Sequence, residues 1–87
     1  MDDLEHQMDQ LTSRVTAAHD GVENLRRAQS QQGLNLRGDI SAAEDRMGTY
    51  MGKAQAAFQN QDAKGTKKYM DLAETEVETL EKFLGRR

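Results

Sequence analysis

The chain of 87 residues has no cysteine, no proline and no tryptophan, and its aromatic residues reach only 5%. Without cysteine it has no disulfide, no thiolate nucleophile and no thiolate metal site. Without proline, no residue of that kind interrupts a helix. The alternation of valine, isoleucine and tyrosine that marks β-strands is absent as well. Together with the abundance of alanine, glutamine, glutamate, lysine and leucine, these absences predict an all-α fold.

The net charge of −3 gives no global field that would attract nucleic acid. No apolar run approaches the roughly 20 residues that a membrane span needs. The amino-terminal segment is acidic and amphipathic, unlike a secretory signal peptide, and its acidic face disfavours anionic lipid surfaces. We therefore expect a soluble, cytoplasmic protein with neither a nucleic-acid partner nor a membrane span.

The first third of the chain carries an apolar seam that steps by four and three residues without a slip. This spacing is the a/d pattern of a coiled coil and predicts a helix over 2–31, about 45 Å long at 1.5 Å per residue. Such a seam requires a helical partner. Its members are Leu4, Met8, Leu11, Val15, Ala18, Val22 and Leu25.

The segment 32–38 contains Gly33 and Gly38 and predicts a turn or hinge, because glycine disfavours helix interiors. An alternative remains open at this stage. Leu25 and Leu36 are eleven residues apart, which equals three helical turns of 3.67 residues. One unbroken helix over 2–60 would satisfy that spacing.

Two further helices are predicted over 39–60 and 62–85. Asp39 or Ser41 suits the cap of the first, and Ser41 with Glu44 has capping-box spacing. Asp62 would cap the second helix. The short connection between the two helices predicts an antiparallel αα-hairpin.

The predicted organisation is therefore an amino-terminal helix in 1–31, a hinge in 32–38 and a helical hairpin in 39–87. The amino-terminal helix either closes a three-helix bundle or projects as a self-associating arm. Its length of about 45 Å exceeds the roughly 33 Å of each hairpin helix. This mismatch favours self-association, most simply as a homo-oligomer.

Candidates for chemistry are few. His6 and His19 lie thirteen residues apart and do not converge on one metal ion. Glu74, Glu78 and Glu81 line one helical face, which predicts a solvated surface. No nucleophile and base fall in a catalytic arrangement. We therefore predict neither enzymatic activity, nor a metal site, nor a cofactor.

Lys64, Lys67 and Lys68 cluster where the third helix begins, at the positive end of its dipole. Asp71 follows Lys67 by four residues and Lys68 by three, so local ion pairing is expected to offset their repulsion. A role in binding an anion or an acidic partner is the alternative.

Gly48 and Gly52 form a small-residue strip on the second helix. Such a strip admits a neighbouring helix at short range, either the chain's own amino-terminal helix or another protein. The predicted function is a non-enzymatic interaction or oligomerisation module built on the heptad seam; the alternative is a docking adaptor or chaperone-like module that binds a partner helix on the hairpin. The predicted partner-binding residues are Leu4, Met8, Leu11, Val15, Val22, Leu25, Gly48 and Gly52.

Overall fold

A computed structural model describes residues 2–85, which form three α-helices and no β-strand. Helix α1 spans Asp2–Gln31, α2 spans Gly38–Gln59 and α3 spans Ala63–Gly85. The predicted all-α class is confirmed. The alternative of one continuous helix over 2–60 is wrong, because residues 32–37 are not helical. Of the predicted organisation, Met1, Arg86 and Arg87 lie outside the described residues.

Helix α1 ends in a Schellman motif with glycine at its left-handed position. Gly33 has φ of +76°, a left-handed conformation that suits a residue without Cβ. Its N–H donates to the Ser30 carbonyl at 3.0 Å, and the Leu34 N–H donates to the Gln29 carbonyl at 2.8 Å. These two bonds satisfy carbonyls that the helix end would otherwise leave unpaired. The chain therefore turns at Gly33, as predicted.

The same motif ends α2, but here a glutamine occupies the left-handed position. Gln61 has φ of +60°. Its N–H donates to the Phe58 carbonyl, and the Asp62 N–H donates to the Ala57 carbonyl, both at 2.9 Å. Asp62 then caps α3 as predicted, because its Oδ1 accepts the Gly65 N–H at 2.9 Å.

The predicted cap of α2 is wrong. The helix begins at Gly38, and the preceding Arg37 makes no side-chain cap hydrogen bond. The Arg37 carbonyl already accepts the Ser41 N–H at 3.0 Å, so Ser41 lies inside the helix. Asp39 pairs with Arg37 at 2.7 Å. Glu44 faces α1 and cannot close a capping box.

The hairpin of α2 and α3 forms the most extensive helix pair, and α1 folds back onto it, mainly against α3. The structure is therefore the three-helix bundle of the two predicted architectures. Ala43, Ala54 and Ala73 are fully buried, which lets the helix axes approach closely. The buried core consists of Met8, Leu11, Ala18, Val22, Ile40, Ala43, Met47, Met51, Ala54, Met70, Ala73, Val77 and Leu80.

Helix α1 is the longest element, and its carboxyl end runs past α3. A Cβ added at Gly21 would lie 2.8 Å from Leu84 Cδ1, so the two residues are at the same level. Because the structure describes α3 up to Gly85, residues 22–31 of α1 extend beyond the described part of that helix. Leu25, predicted as a seam member, is only partly buried and lies outside the core. The long dimension of 46 Å matches the length expected of α1.

The two Schellman motifs give opposite predictions for exchange of their left-handed residue. Gly33→Ala should lower the free energy of unfolding by about 1 kcal/mol, because alanine is strained at positive φ. Gln61→Gly should raise it by up to about 1 kcal/mol, because glycine relieves that strain. Urea denaturation followed by helical circular dichroism measures both, and two shifts of equal sign would contradict this account of the turns.

Candidate interaction site

The predicted seam of α1 lies against the chain's own hairpin. Met8 and Leu11 are 8% and 5% exposed, and Val22 is fully buried. Leu4 and Val15 are partly buried and pack against the same core. In a single copy, these residues therefore contribute to the bundle rather than to an open surface.

Arg14 joins α1 to α3 by a three-point contact. Its Nε and Nη2 donate to the two carboxylate oxygens of Glu81 at 3.1 and 2.8 Å, and its Nη1 donates to Glu74 Oε1 at 3.1 Å. The hydrogen bonds that Arg14 donates to Glu81 and Glu74 raise the pKa of Arg14, and the same bond to Glu81 lowers the pKa of that carboxyl group. The bidentate geometry fixes the register of α1, although the exposure of these side chains limits the energetic gain.

The glutamates predicted to form a solvated face of α3 do lie at the surface, but two of the three also bind α1. Glu74 and Glu81 bind α1, whereas Glu78 is exposed and has no ion-pair partner among the described residues. The sequence contains one signal for this contact. Arg14 directly precedes Val15, so it flanks the apolar seam on the helix surface.

Glu44 joins α1 to α2 and is only 8% exposed. Its Oε1 accepts a hydrogen bond from Arg26 Nη2 at 2.7 Å, and Arg26 Nε donates to Glu23 Oε2 at 2.9 Å. The hydrogen bond to Glu23 and, to a smaller extent, the hydrogen bond to Glu44 raise the pKa of Arg26. His19 Nδ1 lies 3.0 Å from Glu44 Oε2, but no aligned hydrogen bond reaches that buried oxygen. Sequence reasoning assigned Glu44 to a cap and missed this contact.

An open groove of about 620 Å³ separates α1 from α2 beside Glu44. Three carboxylates and one arginine line it, so the groove carries a net negative charge. Its lining residues are His19, Glu23, Arg26, Glu44, Asp45, Gly48 and Thr49.

Gly48 and Gly52 are exposed on α2, and a Cβ added at either would meet nothing within 4 Å. Of the two alternatives for this strip, the one in which it packs against the amino-terminal helix is therefore wrong. Gly21 of α1 is the glycine that admits a neighbouring helix, through its contact with Leu84. The sequence places Gly21 three residues after Ala18, where the seam is narrowest.

The lysines near the start of α3 do not pair with Asp71, because no ion pair joins that carboxylate to Lys67 or Lys68. Lys68 Nζ lies 5.3 Å from the centre of the Tyr69 ring, and Lys53 Nζ of α2 lies 5.5 Å from it. Cation–π contacts with Tyr69 therefore hold one lysine of the cluster, Lys68, together with Lys53 of α2.

Residues 2–85 contain no group of three histidine, aspartate or glutamate side chains placed to hold a metal ion. None of the three described helices combines the length and apolarity of a membrane-spanning segment. No protein-family model, curated protein or solved structure matches the chain.

Glu81→Gln should destabilise the protein at neutral pH by less than about 1 kcal/mol, because the ion pair with Arg14 is largely exposed. The folded state lowers the pKa of Glu81 below 4.5, so its contribution is present above that pH and is lost as pH falls and the carboxylate protonates. The difference between native and variant should therefore disappear in acid.

Urea denaturation from pH 7 to pH 2 measures this difference. Glu78→Gln is the matched control, since Glu78 lies on the same helix without an ion pair. A stability difference at neutral pH that persists undiminished at pH 2, or equal losses in both variants, would contradict the role of Arg14.

Proposed function

We propose that the chain is a non-enzymatic protein–protein interaction and oligomerisation module in which α1 is the exchangeable helix. The observation that supports this proposal is the position of the α1 seam, which is covered by a helical hairpin. The same surfaces are complementary whether α1 and the hairpin belong to one copy or to two. The favoured partner is a second copy of the chain, and another helical protein with a similar seam is the alternative.

The packing of α1 supports exchange. Helices α2 and α3 contact one another far more extensively than either contacts α1. Two arginines, Arg14 and Arg26, make the ion pairs that hold α1 to the hairpin in the described chain, and both are partly exposed. Releasing α1 therefore leaves the most extensive part of the core intact.

The connection between α1 and α2 also supports exchange. Residues 32–37 are irregular, so they allow α1 to reach a neighbouring hairpin by changing a few backbone angles. An exchanged dimer makes the same helix contacts as the closed chain. The short connection keeps the chain's own α1 close to its hairpin, which amounts to a high effective concentration. The exchanged dimer therefore forms only when the protein concentration is high enough to compete with this value.

Light scattering at several protein concentrations tests this proposal. The native chain should show a mass that rises above 9.8 kDa with concentration. Leu11→Asp should stay at 9.8 kDa, because a charge at this buried position opposes covering of the seam, and its hairpin should remain helical. Thr16→Asp adds the same charge at an exposed position and should behave as the native chain.

A native chain that stays at 9.8 kDa at every concentration would overturn the exchange proposal and leave the closed bundle. Equal masses for Leu11→Asp and the native chain, at concentrations where the native chain associates, would overturn the role of the seam.

The second candidate function is docking of a partner helix on α2, and it is favoured by the open space around Gly48 and Gly52. Each glycine costs about 1 kcal/mol of helix propensity relative to alanine. No contact within the described bundle explains that cost. A strip without side chains allows close approach of another helix, as small residues do at helix interfaces.

Gly48→Ala and Gly52→Ala should each raise the free energy of unfolding by about 1 kcal/mol, because alanine favours the helix and meets open space. The Gly52→Leu variant should also fold, but it should no longer bind a partner that docks on the strip. Gln55→Leu is the matched control on the same exposed helix. Partners retained by Gly52→Leu in a pull-down would exclude docking on this strip.

A further inference from the structure

We infer that the hairpin face covered by α1 is a receptor site for a foreign amphipathic helix that is polar or acidic in its first turns and basic from its middle onward. This inference rests on the proposed exchange of α1, which uncovers the face. Helix α1 is the internal occupant of the site. The contacts that α1 makes therefore define the chemistry that a partner helix has to supply.

The apolar part of the site selects spacing. Met8, Leu11, Ala18 and Val22 of α1 enter one core with the hairpin, and their four-three step matches the stripe of a helix surface. An apolar groove of this kind accepts different side chains at the same spacing. The apolar contacts therefore admit a class of helices rather than one sequence.

Charge at the rim narrows that class. The hairpin presents Glu44 on α2, and Glu74 and Glu81 on α3, to the covering helix. Arg14 of α1 pairs with Glu74 and Glu81 on one side of the seam, and Arg26 pairs with Glu44 on the other. A helix without a basic residue at the place of Arg26 would leave Glu44 buried without its counter-charge, which is costly.

One basic position is incompletely filled by α1. Glu44 Oε2 is buried and has no aligned hydrogen-bond donor, and His19 Nδ1 lies 3.0 Å from it. A lysine at the place of His19 would bring an ammonium group with three donors to this oxygen. The chain's own α1 is therefore a weaker occupant than a helix that is basic at this position.

At the amino end of the site, α1 supplies polar and acidic residues instead. The groove between α1 and α3, where α1 places the neutral Gln7 and Gln10, is bordered by Lys67 together with Asp71 and Glu74. The acidic start of α1, at Asp2 and Asp3, lies beside Ala63 at the start of α3. Polar or acidic residues at the amino end and basic residues beyond them thus orient the bound helix parallel to α3.

Labelled peptides with the sequence of residues 2–31 test this inference by fluorescence anisotropy. Binding is measured to the native full chain and to the Leu11→Asp full chain, in which the internal α1 competes less. A His19→Lys peptide should bind about three- to tenfold more tightly than the native peptide, since its ammonium group supplies the hydrogen-bond donor that Glu44 Oε2 lacks. A peptide carrying Arg14→Glu and Arg26→Glu should bind at least about tenfold more weakly.

An Asp20→Asn peptide is the matched control, because it gains the same single unit of charge at an exposed position outside the contacts with Glu44. It should bind as the native peptide does. Equal affinity for the native and the charge-reversed peptides would overturn the inference and leave exchange of α1 intact. If no peptide binds while the mass of the native chain still rises with concentration, the inference fails alone. If that mass also stays at 9.8 kDa, both proposals fail.

Discussion

Covering the apolar seam of α1 is the constraint on which the rest of the structure depends. A helix with several large apolar residues on one side is not stable alone in water, because its helical hydrogen bonds gain little there and burial supplies most of the stability. The hairpin provides that cover, and Gly33 turns the chain back toward it. Met8, Leu11 and Val22 are buried as a result.

The polar contacts of α1 determine how it lies on the hairpin. Arg14 donates three hydrogen bonds to glutamates of α3, and Arg26 neutralises the charge of the buried Glu44 of α2. Because an apolar stripe alone tolerates sliding by a helical turn, these charges select one register. Under the proposed exchange of α1, the contacts that close the bundle are also the contacts that a helical partner would have to reproduce.

The sequence was sufficient for the helices and the apolar stripes, because periodicity and turn residues are local properties. It predicted Asp62 as a cap and Gly33 as part of a turn. It did not reveal that Glu44 binds Arg26 instead of capping α2, or that Glu74 and Glu81 bind Arg14. These pairs join residues that are 18 to 67 positions apart in the chain. The packing role of Gly21 and the solvent exposure of Gly48 and Gly52 likewise depend on which face of each helix meets its neighbour.

Hydrogen exchange of backbone amides tests the central claim most directly, at a dilution where the chain is a single copy. If the hairpin covers α1, amides around Val15–Val22 should be strongly protected relative to an unstructured peptide, although less than those around Ala73–Leu80, because α1 can open while the hairpin stays folded. Exchange in α1 at the rate of an unstructured peptide, while α3 stays protected, would contradict the closed bundle.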